Sequence, residues 1–185
     1  MTSPRPAALP AFRYHPDPLA SGSVVASEAT CRCCGHARGH VYVGPVYAEE
    51  ELSEALCPWC IADGAAAEKF DAEFVDVACF PDALPDDAAE EIARRTPGYA
   101  TWQGEAWPAC CGQATAFLRP TGIAELRRDD HEREGELLGH IVHGMGISGG
   151  AATRLLDSLD RERGPTAYLF RCLVCGAHHF HIDRP

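Results

Sequence analysis

The sequence predicts a small α+β fold stabilised by zinc, with a treble-clef-like finger followed by a second zinc-knuckle hairpin packed with helices. Three observations predict it. Ten of the 185 residues are cysteine, eight of these fall in short paired motifs, and helical and strand-like patterns alternate along the chain. Residues 1–11 read as a flexible Pro/Ala-rich tail, residues 12–80 as the zinc-finger module, and residues 81–185 as a helical segment ending in the knuckle hairpin.

Composition narrows the function classes. At 46% hydrophobic residues the chain can build a core, which excludes wholesale disorder. Sixteen Lys and Arg against twenty-seven Asp and Glu give a net charge of −11. Such a chain lacks the basic face a general nucleic-acid binder needs, and an anionic membrane surface repels it. No run approaches the ~18 apolar residues of a membrane-spanning helix. The first ten residues contain three prolines and no apolar stretch, so they do not read as a secretory signal. The expected location is the cytoplasm, where thiols stay reduced. There, ten cysteines read as metal ligands before disulfides.

The elements follow in order. Phe12-Arg13-Tyr14-His15-Pro16-Asp17-Pro18 predicts an extended arm with its rings on a core. Val24-Val25 and His40–Gly44 predict strands. Ala48–Leu56 predicts a short amphipathic helix, with Leu52, Ala55 and Leu56 opposite the solvated Glu49–Glu51 run. Ile61–Phe74 predicts a further helix, weakened at Gly64, and Pro58, second in the Cys57–Cys60 motif, suits the first position of a helix. Asp86–Arg95 is acidic at its start, basic at its end and stopped by Pro97-Gly98, as a helix requires. Ala114–Leu118 reads as helical, residues 121–145 as two helical pieces around Leu126 and Leu137-Leu138, and Ala151–Arg163 as a helix. Thr166–Val174 and Ala177–Ile182 alternate as two strands joined at Cys172–Gly176.

Two cysteine constellations carry the chemistry. Cys31-x2-Cys34 and Cys57-x2-Cys60 are separated by 22 residues. Each pair offers two vertices of a Zn²⁺ tetrahedron, and four thiolates close the site. Knuckle, hairpin, then helix is the order a treble clef requires, with Cys57 near the helix N-cap and Cys60 in its first turn. Cys33 could replace Cys31 or Cys34. The rival reading, Cys57-Pro58-Trp59-Cys60 as a redox pair, needs a preceding strand in a βαβ unit, which is absent from the pattern. The second constellation is Cys172-x2-Cys175-Gly176 with Cys110-Cys111-Gly112. Neighbouring side chains diverge, so either one of Cys110 and Cys111 ligates with His178, His179 or His181 as fourth ligand, or both ligate under strain. Two Zn²⁺ per chain are expected. Cys33 and Cys79 are left over.

Weaker signals point to structure. Gly144-x-Gly146-x-x-Gly149 has no preceding strand and reads as a turn. His140 and His143 lack a third ligand, His131 lacks the second histidine of H-E-x-x-H, and His15 reads as packing. His178, His179 and His181 read as exposed, and Asp63 as a cap on local backbone. No nucleophile elbow or P-loop occurs.

Eight stretches resemble the CbrC family of bacterial proteins: Phe12–Pro18, Cys31–Gly35, Gly44–Ala48, Leu56–Gly64, Glu68–Phe74, Arg95–Gly98, Cys110–Gly112 and Phe170–Cys172. The resemblance implies a family with no established catalytic residues, whose namesake is linked to tolerance of a DNase colicin. The expectation is therefore a non-catalytic, zinc-binding protein-interaction module in stress response or bacteriocin tolerance, meeting a basic partner such as a toxin nuclease. The alternative is a zinc-dependent enzyme using an open second site. A local patch of Arg94, Arg95, Arg127 and Arg128 is the one feature that favours nucleic acid.

Overall fold

The computed structural model describes residues 8–184 and divides the chain into two compact units, Met1–Ala100 and Thr101–Pro185. Most of the expected tail, residues 1–7, lies outside the described residues, while Leu9 packs on the first core. The boundary at 100/101 lies later than the expected 80/81. Helix 86–95 belongs to the first unit because its end is tied there. The Phe74 amide donates to the Ala93 carbonyl at 2.7 Å, Arg95 Nε to Ala62 O at 3.0 Å, and the Gly98 amide to the Tyr42 hydroxyl at 3.0 Å.

The first unit runs α1 (Pro18–Ser21), β1 (Val24–Ala26), β2 (His40–Tyr42), α2 (Pro58–Ala62), α3 (Ala65–Phe70), a 3₁₀ turn (Val77–Cys79) and α4 (Asp86–Arg95). The β1 and β2 strands pair antiparallel with Val25 opposite Val41, so the first cysteine knuckle closes their hairpin. Strands flank the knuckle rather than following it. The arm packs as predicted, with Phe12, Tyr14 and His15 all buried. His15 Nδ1 donates to Pro97 O at 2.7 Å, and Nε2 accepts from the Ser21 hydroxyl at 2.7 Å.

Two helical expectations change here. Ala48–Leu56 forms bends, not a helix. Leu52 and Leu56 are buried as the pattern required, but Tyr47 bridges to Glu73 and Leu56 to Tyr42. The backbone thus bonds distant segments instead of its own i−4 carbonyls, and Glu54 sits at φ 53°. Ile61–Phe74 is broken where Gly64 takes φ 83°, and Asp63 Oδ1 accepts from the Ala65 amide at 2.9 Å.

The second unit runs β3 (Ala109–Cys110), β4 (Gln113–Thr121), α5 (Ile123–Asp129), α6 (His131–Gly139), a π-turn (His140–Gly144), α7 (Gly149–Asp157), β5 (Thr166–Cys172) and β6 (His178–Asp183). Among the described residues it carries a four-stranded antiparallel sheet in the order β3-β4-β5-β6. Phe170 packs edge-to-face against Trp107 and tilted against Phe117, with centroids 5.7 and 5.3 Å apart. A separate core gathers Leu126, Leu137, Ile141, Leu156, Leu169 and Phe180. The expected helix at Ala114–Leu118 is strand β4. Residues 114–117 are all buried, Ala114 pairs with β3 and Thr115–Phe117 with β5, and this ladder pairing overrides alanine's helical preference. Helix α7 spans Gly149–Asp157, so it starts and stops earlier than the predicted Ala151–Arg163. Among the described residues no helix is long and apolar enough to cross a membrane.

Candidate metal centres

In each unit the fold gathers four thiols. Cys31, Cys34, Cys57 and Cys60 form one group, Cys110, Cys111, Cys172 and Cys175 the other, with sulfurs within 4.8 Å of one another in each. All ten cysteines are free thiols. In the first group Cys57–Cys60 is 3.6 Å, Cys34–Cys57 3.9 Å and Cys31–Cys60 4.0 Å. In the second, Cys110–Cys111 and Cys110–Cys175 are both 3.8 Å. A tetrahedron with metal–sulfur bonds of about 2.3 Å has edges of about 3.8 Å, so both groups fit one ion such as zinc.

The same turn builds both knuckles. The Gly35 amide donates to Cys31 O and the Cys31 amide to His36 O, at 2.8 and 3.0 Å. The Gly176 amide donates to Cys172 O and the Cys172 amide to Ala177 O, at 3.1 and 2.8 Å. Each closing glycine sits at positive φ, 72° and 77°, where a side chain is strained. The opposing pairs differ. Cys57 is the N-cap of α2, Pro58 opens the helix as predicted, and Cys60 lies in its first turn. Cys110 and Cys111 come instead from the tip of the β3–β4 hairpin. Cys110 pairs with Gln113, leaving a two-residue turn in which Cys111 and Gly112 both have positive φ, 53° and 70°. That left-handed turn swings Cys111 back beside Cys110, so both adjacent thiols join one group. No histidine supplies the fourth position, and His178 instead faces Glu136 at 3.4 Å.

The sequence model of an uncharacterised protein family, UPF0167, matches residues 9–184, a span that includes both groups. The chain belongs to the UPF0167 family. A UPF0167 protein of Mycobacterium bovis is 48% identical over 179 residues, 96% of this chain and 95% of that one. A UPF0167 protein of Mycobacterium tuberculosis gives the same values. One from Pseudomonas aeruginosa is 44% identical over 179 residues, covering 95% and 97%. No solved structure matches the chain.

Electrostatics in this UPF0167 chain favours a cation at both centres. Burial alone would raise the Cys31 thiol, but the amides of Cys34, Cys57 and Cys33 and the Cys57 thiol outweigh it and bring it to about 7. The Cys175 and Val174 amides lower Cys172 to about 6. Burial pushes Cys57 up to about 11 and raises Cys60. The bond to Cys172 pushes Cys110 up to about 12, and the bond to Cys175 raises Cys111. Without a cation each group therefore holds one acidified thiol, Cys31 or Cys172, beside two that resist ionisation, Cys57 and Cys60 in the first and Cys110 and Cys111 in the second. A divalent ion reverses that resistance by attracting all four thiolates.

The remaining candidates lie elsewhere. Cys79 belongs to neither group. His178, His179 and His181 are half-buried on β6 rather than exposed, and desolvation lowers all three. His140 is half-buried against Phe180, while His143 and His131 are exposed. Arg127 and Arg128 are engaged by Glu134, Asp157 and Asp129 at 2.7–2.8 Å, so that half of the arginine patch is neutralised locally.

Proposed function

We propose that this protein is a zinc-pinned, non-catalytic scaffold that binds another protein. The four-thiol composition of both groups carries this reading: a tetrathiolate ion has no open vertex for water or substrate, so such a site holds structure. The same composition at the second centre weighs against the hydrolytic alternative, which needs a bound water beside a carboxylate. The first unit then acts as a treble-clef-like finger, with knuckle and helix N-terminus facing across the ion and the knuckle closing the hairpin.

Charge suggests the partner. Residues 1–100 carry sixteen Asp and Glu against seven Lys and Arg, a net of −9, whereas residues 101–185 carry eleven against nine, a net of −2. The acidity is concentrated in the first unit, and it favours fast association with a basic protein. The resemblance to the CbrC family puts that encounter in stress response or toxin tolerance inside the bacterial cytoplasm, with a basic nuclease toxin as the partner.

Elemental mass spectrometry of protein purified without added metal tests the scaffold, with about two zinc per chain expected and none overturning it. X-ray absorption at the zinc edge tests the closed shells: sulfur alone supports them, and an oxygen neighbour at either ion favours an enzyme. A pulldown with a basic nuclease domain tests the partner; no recovery at low or moderate salt removes it.

A further inference from the structure

Helix α4 buries Ala88 and Ile92 in the first unit. A neighbouring stripe, Asp86, Ala89, Glu90 and Ala93, follows the i, i+3, i+4, i+7 spacing of one helix face and lines an open groove. The facing wall is built by the 3₁₀ turn Val77–Cys79 and by a turn in which the Leu84 amide donates to Pro81 O at 2.9 Å. These turns bring Val77, Phe80 and Leu84 to the groove, whose volume is about 470 Å³. That size lies within the roughly 300–1,000 Å³ of pockets that take ligand groups. Val77 is 50% exposed, so the apolar floor is open to water. The rim is acidic. Glu73, Asp82, Asp86 and Glu90 line it, and among the described residues none of the four is in an ion pair. Arg94, the cation beside them, is turned to Asp71 at 3.4 Å and to the Ala67 carbonyl at 3.2 Å.

We propose that this groove docks a basic amphipathic segment of a partner protein, with aliphatic side chains on the floor and Lys or Arg at the rim. The proposal rests on the reading that the acidic first unit binds a basic protein, and it names the surface that does so. Charge selects one half of the occupant: four carboxylates without a local counter-charge repel an acidic segment and attract a basic one. The floor selects the other half. Val77, Phe80 and Leu84 gain from contact with apolar side chains, and the stems of Lys and Arg extend that contact towards the rim. A segment with leucines at helical spacing and basic residues beside them meets both demands at once. A metal ion or a small cation uses the rim alone and leaves the floor in water.

The metal-loaded full chain is titrated with a labelled peptide of leucines and lysines at amphipathic helical spacing, read by fluorescence anisotropy at low and moderate salt. Saturable binding is expected, about tenfold weaker when serine replaces the leucines and lost when glutamate replaces the lysines. Glu90→Lys is expected to weaken binding about tenfold and to lessen its salt dependence. Glu28→Lys, the same charge change outside the groove, is expected to cost less than about twofold. Ala89→Leu fills the groove and is expected to weaken binding about tenfold with the salt dependence unchanged. Val77→Ser trims the floor at an exposed position, with a loss of about threefold expected, and stands in if Ala89→Leu folds poorly. On the native chain, amide exchange is expected to show protection gained within residues 73–94 when the peptide is present.

Equal weakening by Glu28→Lys and Glu90→Lys reduces the contact to net charge and overturns the proposal. So does unchanged affinity in both floor variants, or protection gained only outside residues 73–94. A chain that dimerises alone, and no longer does so as Ala89→Leu, gives the groove to a second copy and overturns it too. Recovery of the basic nuclease domain without peptide binding at the groove refutes this surface and leaves the proposed function standing. Peptide binding at the groove without recovery of that domain does the reverse.

Discussion

At the first centre Cys31, Cys57 and Cys60 are buried, and Leu52, Leu56, Ile61 and Phe74 belong to the same core cluster as these sulfurs. At the second centre only Cys172 is buried, whereas Cys111 and Cys175 are exposed at the tips of two hairpins. The sheet below those tips is independent of them: β4 and β5 pair from Thr115 to Thr121, and β5 and β6 along their whole length. Among the described residues the first unit's ladder is the three-residue β1–β2 pair, with single bridges at Thr30–Ala37 and Tyr42–Leu56 beside it. The same cysteine turn therefore serves as a core element in one unit and as an end clip in the other. A structural ion can supply on the order of 10 kcal/mol to folding. How much of a unit depends on that contribution is set by what else holds the unit together.

The largest expected effect tests that contrast directly. Cys60→Ser is expected to abolish cooperative folding of the first unit, a loss on the order of 10 kcal/mol, because the ion outweighs the few hydrogen bonds, such as Arg32 N to Ala55 O and Lys69 Nζ to the Arg32 carbonyl, that otherwise tie the knuckle to the segments around α2. Cys175→Ser is expected to release the second ion and fray the β5–β6 tip while the sheet survives. Amide exchange of both variants reads the outcome, since local and global opening protect different segments. Equal loss of protection in both variants would end the contrast. A chelator sharpens it: one ion is expected to leave quickly from the exposed centre, and the other only with unfolding of the first unit.

Both knuckles were legible in the sequence because C-x-x-C-G carries its own turn, with ligand spacing and a glycine at positive φ written into five residues. Helix α4 was legible because its charges and its Pro-Gly stop are local. Three features were not. Ala48–Leu56 has a helical spacing of buried leucines, but its hydrogen bonds go to Tyr42 and Glu73, partners no local pattern reveals. Ala114–Leu118 has helical composition and becomes a strand because its backbone pairs with distant segments, β3 at Ala114 and β5 from Thr115. Cys110 and Cys111 read as sharing an ion only under strain, or as giving one ligand beside a histidine, because on extended backbone neighbouring side chains diverge. The hairpin turn removes that premise by placing Cys111 at φ 53°. Cys-Gly before a strand was the available signal, a two-residue turn of the kind that favours positive φ.

The next effect concerns acid and the first unit alone. Burial pushes His15 down to about 4, against its bond to Pro97 and the charge of Asp17, so the folded ring is neutral near pH 7. The unfolded ring, with a value near 6.5, takes up a proton first as pH falls. The unfolded state thus binds more protons between about 6.5 and about 4, and stability drops across that window before levelling below it. The full drop is about 3 kcal/mol. His15→Gln is expected to flatten the slope of stability against pH between 4 and 6.5, measured by denaturant unfolding beside the native chain. Metal loss in acid affects both proteins, so the difference between their slopes isolates the histidine. Parallel slopes would mean that His15 is already solvated in the folded state.

The smallest effect asks whether the two knuckles are equivalent at the level of the turn. Gly35 and Gly176 share positive φ, and a Cβ added at either meets nothing within 4 Å. Substituting alanine therefore adds no clash, only the strain of a left-handed backbone, about 1 kcal/mol at each site. The two penalties are expected to match although the surroundings differ, because the strain belongs to five residues and not to the core. Thermal unfolding of metal-loaded Gly35→Ala and Gly176→Ala provides the measurement. A much larger loss for Gly35→Ala would show that the buried core, and not the turn, sets the conformation of the first knuckle. The difference between the two centres would then begin at the ligand loop itself rather than in what packs around it.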